Sequence, residues 1–225
     1  MMILDKIVPF GRAKAEYKLM FALTERDRAK TIIGIGDGPA SFNAEMTAAG
    51  YQVTSIDPIY QFTGAEIKSR FDACIDGIIE QVRNTPNNWT WNYHKSPEDL
   101  RANREKAIAL FLADFERGKS EGRYLNAELP KLDFRDNQFQ LALCSHLLFL
   151  YSDHLSFEFH LDSIRELCRI AEEVRIFPLL TLAQARSPYI DEICRILDKE
   201  GISSEIIQVG YEFQKGGNQA IIFRQ

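Results

Sequence analysis

The amino-acid sequence predicts a doubly wound α/β fold: a mostly parallel seven-stranded sheet with a terminal antiparallel hairpin strand, and a helical insertion after the second strand. Three observations predict it. Thr31-Ile-Ile-Gly-Ile-Gly-Asp-Gly-Pro39 runs β-branched residues into alternating glycines, and residues 40–50 then carry helix formers to a glycine stop. Short apolar runs recur at 51–56, 123–127, 140–145 and 173–178 with helical periodicity between them, the alternation of a parallel sheet. The tail reads as two strands, 205–213 and 219–223, around Gly216-Gly217.

At 225 residues and 45% apolar, the chain has the length for one domain carrying a sizeable insertion. Residues 1–30 read as an N-terminal helical extension, 31–225 as the main domain, and 60–120 as an inserted helical cap. A net charge of −5 argues against nucleic acid or an anionic membrane as the main partner. Cys74, Cys144, Cys168 and Cys194 form no C-x-x-C pair, so neither a disulfide framework nor a metal site is expected. The N-terminal run Met1-Met-Ile-Leu-Asp-Lys6 is too short for a signal peptide, and no segment approaches the ~18 apolar residues of a membrane span. A cytoplasmic protein is the expectation.

Taken in order, residues 12–29 suggest helix, with Tyr17, Met20, Phe21 and Thr24 on one face and Thr24-x-x-Asp27 capping a second short helix. Tyr17 reads as packing. Gly34, Gly36 and Gly38 let backbone approach a ligand, Pro39 suits a first helical position, and Gly50 suits a helix stop. Asp57 follows the second apolar run, 19 positions beyond Gly38, where an acid accepts hydrogen bonds from ribose hydroxyls. The chain therefore begins as a nucleotide-type cofactor binder.

From Pro58 to Gly122 there are 65 residues, where a bare crossover takes roughly 20–30. Thr63-x-x-Glu66 opens one helix, with Ile67, Phe71, Cys74, Ile78 and Val82 as its stripe. Ser96-Pro97 opens another, which runs to Gly118. This surplus is expected over the C-terminal ends of the strands, where open α/β sheets bind ligands. Leu161, Ile164, Cys168 and Ala171 mark a later helix, and Ser187-Pro188 caps one that ends at Gly201.

A dinucleotide fingerprint, G-x-G-x-x-G, is broken by Pro39 when counted from Gly34 and ends on Ser41 when counted from Gly36. The glycine run with Asp57 instead resembles the first motif of class I (Rossmann-like) S-adenosylmethionine-dependent methyltransferases. So does Ala127-Glu128, Leu132-x-Phe134, Asp136 and Phe139-Gln140, which matches that family's run after its third strand. The resemblance covers residues 31–225 apart from the insertion. It implies S-adenosylmethionine as cofactor, S-adenosylhomocysteine as product, and a methyltransferase activity. Gly34, Ile35, Gly36, Asp37 and Gly38 would face the methionine part, Asp57 and Pro58 the ribose, Glu128 and Leu129 the adenine. Ser145 would stand at the sulfonium side. Two positions depart from the pattern: Gly34 stands where the family has an acid, and Gln140 where it has aspartate.

His146, leaving the central strand, is the candidate general base, and Tyr151 the residue that orients an acceptor. Trp89, Trp91, Tyr93 and His94 hold both tryptophans of the chain and form a candidate acceptor wall. The expected partner is a small-molecule acceptor, with no nucleic acid and no membrane. The alternatives are a nicotinamide-dependent oxidoreductase and a methyltransferase-fold protein that works by binding alone.

Overall fold

The computed structural model describes residues 8–225; the N-terminal apolar run lies outside the described residues. The chain threads α1 (Lys14–Met20), α2 (Glu25–Arg28), β1 (Ile32–Ile35), α3 (Phe42–Ala48), β2 (Val53–Ile56), α4 (Gly64–Asn84) and α5 (Pro97–Ser120). Then follow β3 (Tyr124–Leu125), β4 (Leu141–Ser145), α6 (Phe157–Ile170), β5 (Glu173–Phe177), α7 (Ile190–Lys199), β6 (Ser203–Gln208) and β7 (Gln219–Arg224). One seven-stranded sheet results, in the order β3-β2-β1-β4-β5-β7-β6. Strands β1 to β5 pair in parallel, and β7 lies antiparallel between β5 and β6.

Period-2 alternation sorts the strand residues onto two faces. Ile32, Val53, Leu141 and Leu143 pack on Tyr17, Met20, Phe21, Phe42 and Met46 of the α1 and α3 layer. Ile33, Ile35, Ala142, Cys144, Val174 and Ile176 pack on the other face, against the buried residues of α6 and α7. A third cluster joins α4 to α5, with Tyr60 and Tyr124 between Phe71, Phe111 and Phe115. Among the described residues no helix is long and apolar enough to cross a membrane.

Four details differ from the sequence reading. Pro39 does not open α3, which begins at Phe42. The chain just ahead of α1 presses on this turn: a Cβ on Gly11 would lie 2.2 Å from the Pro39 carbonyl, and Ser41 N–H donates to the Arg12 carbonyl at 3.1 Å. Gly118 does not end α5 but lies within it, where a Cβ would meet the Tyr124 ring at 2.4 Å; the helix runs on to Ser120. Helix α7 starts at Ile190 rather than at Pro188, and the Ser187 hydroxyl lies 2.8 Å from that of Ser152. The terminal antiparallel hairpin forms between β6 and β7, but its connection is longer than a Gly-Gly turn. Val209 N–H still donates to Asn218 O at 2.9 Å, but residues 212–215 pair with the chain after α4, Thr90 N–H donating to Phe213 O at 2.9 Å and Lys215 N–H to Asn88 O at 3.0 Å.

One buried ion pair ties these outlying pieces together. Arg104 of α5 donates to both oxygens of Glu16 on α1, each at 2.6 Å, and both side chains are all but fully buried. Tyr211 from the tail loop donates to the same carboxylate at 3.0 Å, and His94 Nε2 lies 3.3 Å from it. Burial alone would raise the Glu16 pKa, but the charge and hydrogen bonds of Arg104 overcome this and hold it well below the usual range.

A buried carboxylate left without its cation costs about 3–5 kcal/mol. Arg104→Met should therefore lower the melting temperature by roughly 6–20 °C for a chain of this size. Glu16 has a depressed folded-state pKa, so its stabilisation is present above the unfolded carboxylate range and is lost as pH falls through the folded value. Wild type should lose this increment on acidification, whereas Arg104→Met should not; melts across a pH series check both statements.

Candidate functional site

The glycine turn after β1 is built by three constraints. Gly36 and Gly38 take left-handed backbone, φ +63° and +53°, which a side chain would strain. Asp57, at the end of β2, closes the turn: its carboxylate accepts from Gly38 N–H and from Ile59 N–H, both at 2.8 Å. Tyr60 O–H donates to the Gly38 carbonyl at 2.7 Å. Burial raises the Asp57 pKa, the two backbone N–H groups oppose it, and the charge of Glu128 adds to it.

The acid that the sequence lacks at position 34 is supplied from position 37. A Cβ on Gly34 would fall 1.9 Å from Asp37 Oδ2, so the Asp37 carboxylate fills the space a residue-34 side chain would take. It accepts from Tyr17 O–H and Ser55 O–H, each at 2.6 Å. Burial raises its pKa to about 6, against the pull of those two hydroxyls. Tyr17 is thus more than packing, although it also stacks on Phe42 at 4.3 Å. The second departure, Gln140, touches none of this; it accepts from Thr31 N–H at the opposite end of the strands.

Above this turn lies a cavity of about 600 Å³, within the range of small-molecule sites. Ile35, Gly36, Asp37, Gly38, Asp57, Pro58, Glu128, Leu129 and Ser145 all line it. Gly34 does not; it lies beneath the Asp37 carboxylate. Leu129 is buried in the wall, while Glu128 is exposed at the rim. From α4, Arg70, Ala73 and Cys74 close one side.

A second, smaller cavity of about 80 Å³ adjoins the first, with Val8, Phe10, Arg12 and His146 lining both. His146 has left-handed backbone, φ +53°, fixed by its N–H donating to Phe177 O at 2.7 Å. Its Nδ1 lies 2.9 Å from the Ser145 hydroxyl, and its Nε2 makes no hydrogen bond among the described residues. Burial first, then the charges of Arg12 and Arg104, hold its pKa well below 6.5, so the ring is neutral at neutral pH. Tyr151 lines the same small cavity.

Of the four residues expected to form an acceptor wall, Trp89 lines the small cavity and the other three line neither. Trp91 packs edge-on against Phe213, Tyr93 joins the α1 and α3 cluster, and His94 is fully buried in the Glu16–Arg104 network. That correction has a simple cause: the segment carrying them pairs with the tail loop and turns its side chains toward α1 and the tail. Arg12, Arg104 and Tyr211 line the small cavity, and the sequence reading singled out none of them. Their one sequence signal is weak, a charged residue beside an aromatic or apolar stripe.

A parallel sheet with its last strand inserted antiparallel before the sixth, and a glycine turn closed by an acid after β2, defines the fold of class I S-adenosylmethionine-dependent methyltransferases. The methyltransferase domain of bacterial CtHen1-CN is similar, with a TM-score of 0.50 at 14% identity over 94% of this chain and 100% of that one. So is the mitomycin 7-O-methyltransferase MmcR, with a TM-score of 0.50 at 12% identity over 94% of this chain and 53% of that one. No family model matches the sequence. The chain is 34% identical over 223 residues to an uncharacterized protein of Methanocaldococcus jannaschii, covering 99% of this chain and 98% of that one, and belongs to its family.

Gly34→Ala should expel the Asp37 carboxylate from its seat. Overpacking of this kind costs about 1–3 kcal/mol. The double variant Gly34→Ala with Asp37→Gly, which removes the colliding group, should recover part of that loss. A Gly34→Ala protein that melts with wild type would show that Asp37 is not anchored there.

Proposed function

We propose that the protein is an S-adenosylmethionine-dependent methyltransferase acting on a small-molecule acceptor. The observation that carries this reading is the convergence, in one cavity at the C-terminal edge of the strands, of the glycine turn, Asp57, Glu128, Leu129 and the His146 loop. The residues fit the cofactor. Gly38 leaves its open face toward the cavity, with Asp57 Oδ2 at 3.8 Å as the nearest atom to an added Cβ, and each Asp57 oxygen retains a lone pair beyond its backbone bond. Asp57 and Pro58 would hold the ribose, Glu128 and Leu129 the adenine, and the turn from Ile35 to Gly38 the methionine part, with the Asp37 carboxylate seated above Gly34. Ser145 would stand by the sulfonium. S-adenosylmethionine supplies an electrophilic methyl carbon when bound.

The chain's own part in transfer is to position and to exclude water. An in-line displacement gains most of its rate from holding the acceptor atom ~3–3.5 Å from the methyl carbon. Helix α4 borders both cavities, through Ile78 and Val82 on one and Arg70 on the other, so we read it as the cover that shields the reaction. His146, neutral and with Nε2 free, takes the proton of an acceptor hydroxyl or ammonium, and Tyr151 orients the acceptor. Among the similar structures, MmcR bears the name of an O-methyltransferase of mitomycin, a small molecule. The nicotinamide alternative has Ser41, not glycine, at its last fingerprint position.

Calorimetry with S-adenosylhomocysteine and NAD tests the reading; only the former should bind. Asp57→Ala removes a charge-assisted contact of roughly 1.5–3 kcal/mol, so affinity should fall about tenfold or more. Equal affinity in the variant refutes the placement.

With an acceptor in hand, His146→Ala should lower kcat by about 10²–10⁴ while leaving cofactor affinity little changed. A base works above its pKa, and that of His146 is held below 6.5. The acid limb of the wild-type kcat/KM profile, which reports the free protein, should therefore lie below pH 6.5 and vanish in His146→Ala. A change in kcat of only a few fold leaves positioning alone as the source of rate.

A further inference from the structure

The wall shared by the two cavities carries a charge that the reaction above does not use. Among the described residues, Arg12 makes one side-chain hydrogen bond, from Nη1 to the Phe10 carbonyl at 2.8 Å, and its Nε is buried without a partner. No carboxylate lies within ion-pair distance of it among the described residues. Glu16, the acid whose charge it feels, already has both oxygens taken by Arg104. Among the described residues, two guanidinium ions against one carboxylate leave a single uncompensated positive charge. Its titratable neighbours do not cancel it: His94 and His146 have lowered pKa values, and burial raises the phenols of Tyr17 and Tyr211. A half-buried cation whose Nε is cut off from water and which has no counter-ion is costly to maintain.

Around this charge the small cavity is apolar and aromatic, with Trp89, Leu100, Leu182 and Phe213 in its walls. We propose that the acceptor is a small monocarboxylate with an apolar or aromatic body, its carboxylate held by the Arg12 guanidinium and its body seated in the small cavity. A guanidinium takes a carboxylate through two parallel N–H donors. One unit of negative charge balances the site, whereas a phosphate dianion would leave an excess charge among apolar walls. Size agrees, since a cavity of about 80 Å³ suits a body of a single ring or a short chain. The proposal rests on the methyltransferase reading for the word acceptor, but the anion site stands on its own residues. The other source of the same chemistry is the α-carboxylate of the cofactor.

The test uses benzoate, phenylacetate and octanoate, each against its uncharged amide, titrated calorimetrically with and without saturating S-adenosylhomocysteine. Wild type should bind at least one acid tenfold or more tightly than its amide. Arg12→Gln should abolish that preference and Arg12→Lys should keep part of it, with S-adenosylhomocysteine affinity within threefold in both variants. The proposal is overturned if wild type prefers none of the acids to their amides. It is overturned equally if Arg12→Gln weakens S-adenosylhomocysteine tenfold or more and leaves acid binding intact, which assigns the guanidinium to the cofactor. Acids that discriminate through Arg12 in a protein that binds no S-adenosylhomocysteine would uphold the anion site and refute the methyltransferase reading.

Discussion

The buried Glu16–Arg104 pair is the constraint on which the outer half of this structure depends. It joins α1, α5 and the tail loop, three segments remote in sequence, at one desolvated point. Ion pairs this deep gain little net stability over well-packed apolar residues, but they punish any arrangement that separates them. Glu16 also accepts from the N–H of Ala13 at 3.0 Å, so the same carboxylate fixes how the chain enters α1. The chain just before that entry, at Gly11 and Arg12, presses on Pro39 and Ser41 and borders both cavities. The shape of the site thus follows from an ion pair outside the sheet.

The Asp37 carboxylate takes the space beside Gly34 without disturbing the sheet. Strand β1 gives up a side chain at Gly34, and the turn folds its own carboxylate back into that space. Ser55 of β2, which pairs with Gly34 across the ladder, is then directly placed to donate to it. Tyr17 completes the seat from α1. The acid stays in the same region while its backbone origin moves by three residues, which ties the N-terminal extension to the glycine turn through one hydrogen bond.

The sheet was legible in the sequence because its signals are local: short apolar runs, and a glycine turn with Asp57 at a fixed spacing beyond it. Caps were legible where a side chain does the capping, as at Thr63 and Ser96. What was not legible depends on tertiary contact. Pro39 reads as a helix start until Gly11 is found against it, and Gly118 reads as a stop until Tyr124 is found in its place. Residues 205–213 have strand composition, yet the chain at 88–90 takes the backbone groups of Glu212, Phe213 and Lys215, giving Trp89 the stacked partner Phe213 at 4.7 Å. His94 was misplaced for the same reason. Nothing in Trp-Asn-Tyr-His tells that its histidine meets a glutamate 78 positions earlier in the chain.

The electrostatics of the cavities follow from these placements. Arg12 and Arg104 stand near one carboxylate and near His146, so the imidazole lies in a positive field as well as out of water. Both effects disfavour its protonated form; with Nδ1–H donating to the Ser145 hydroxyl, Nε2 is available as an acceptor but is a weak base. An anion beside Arg12 would cancel much of that field and strengthen the base at the moment an acceptor is bound. A ligand without charge would leave His146 as weak as it is in the free protein. The same guanidinium that selects the acceptor would then also prepare the group that deprotonates it, coupling recognition to reactivity through a single charge.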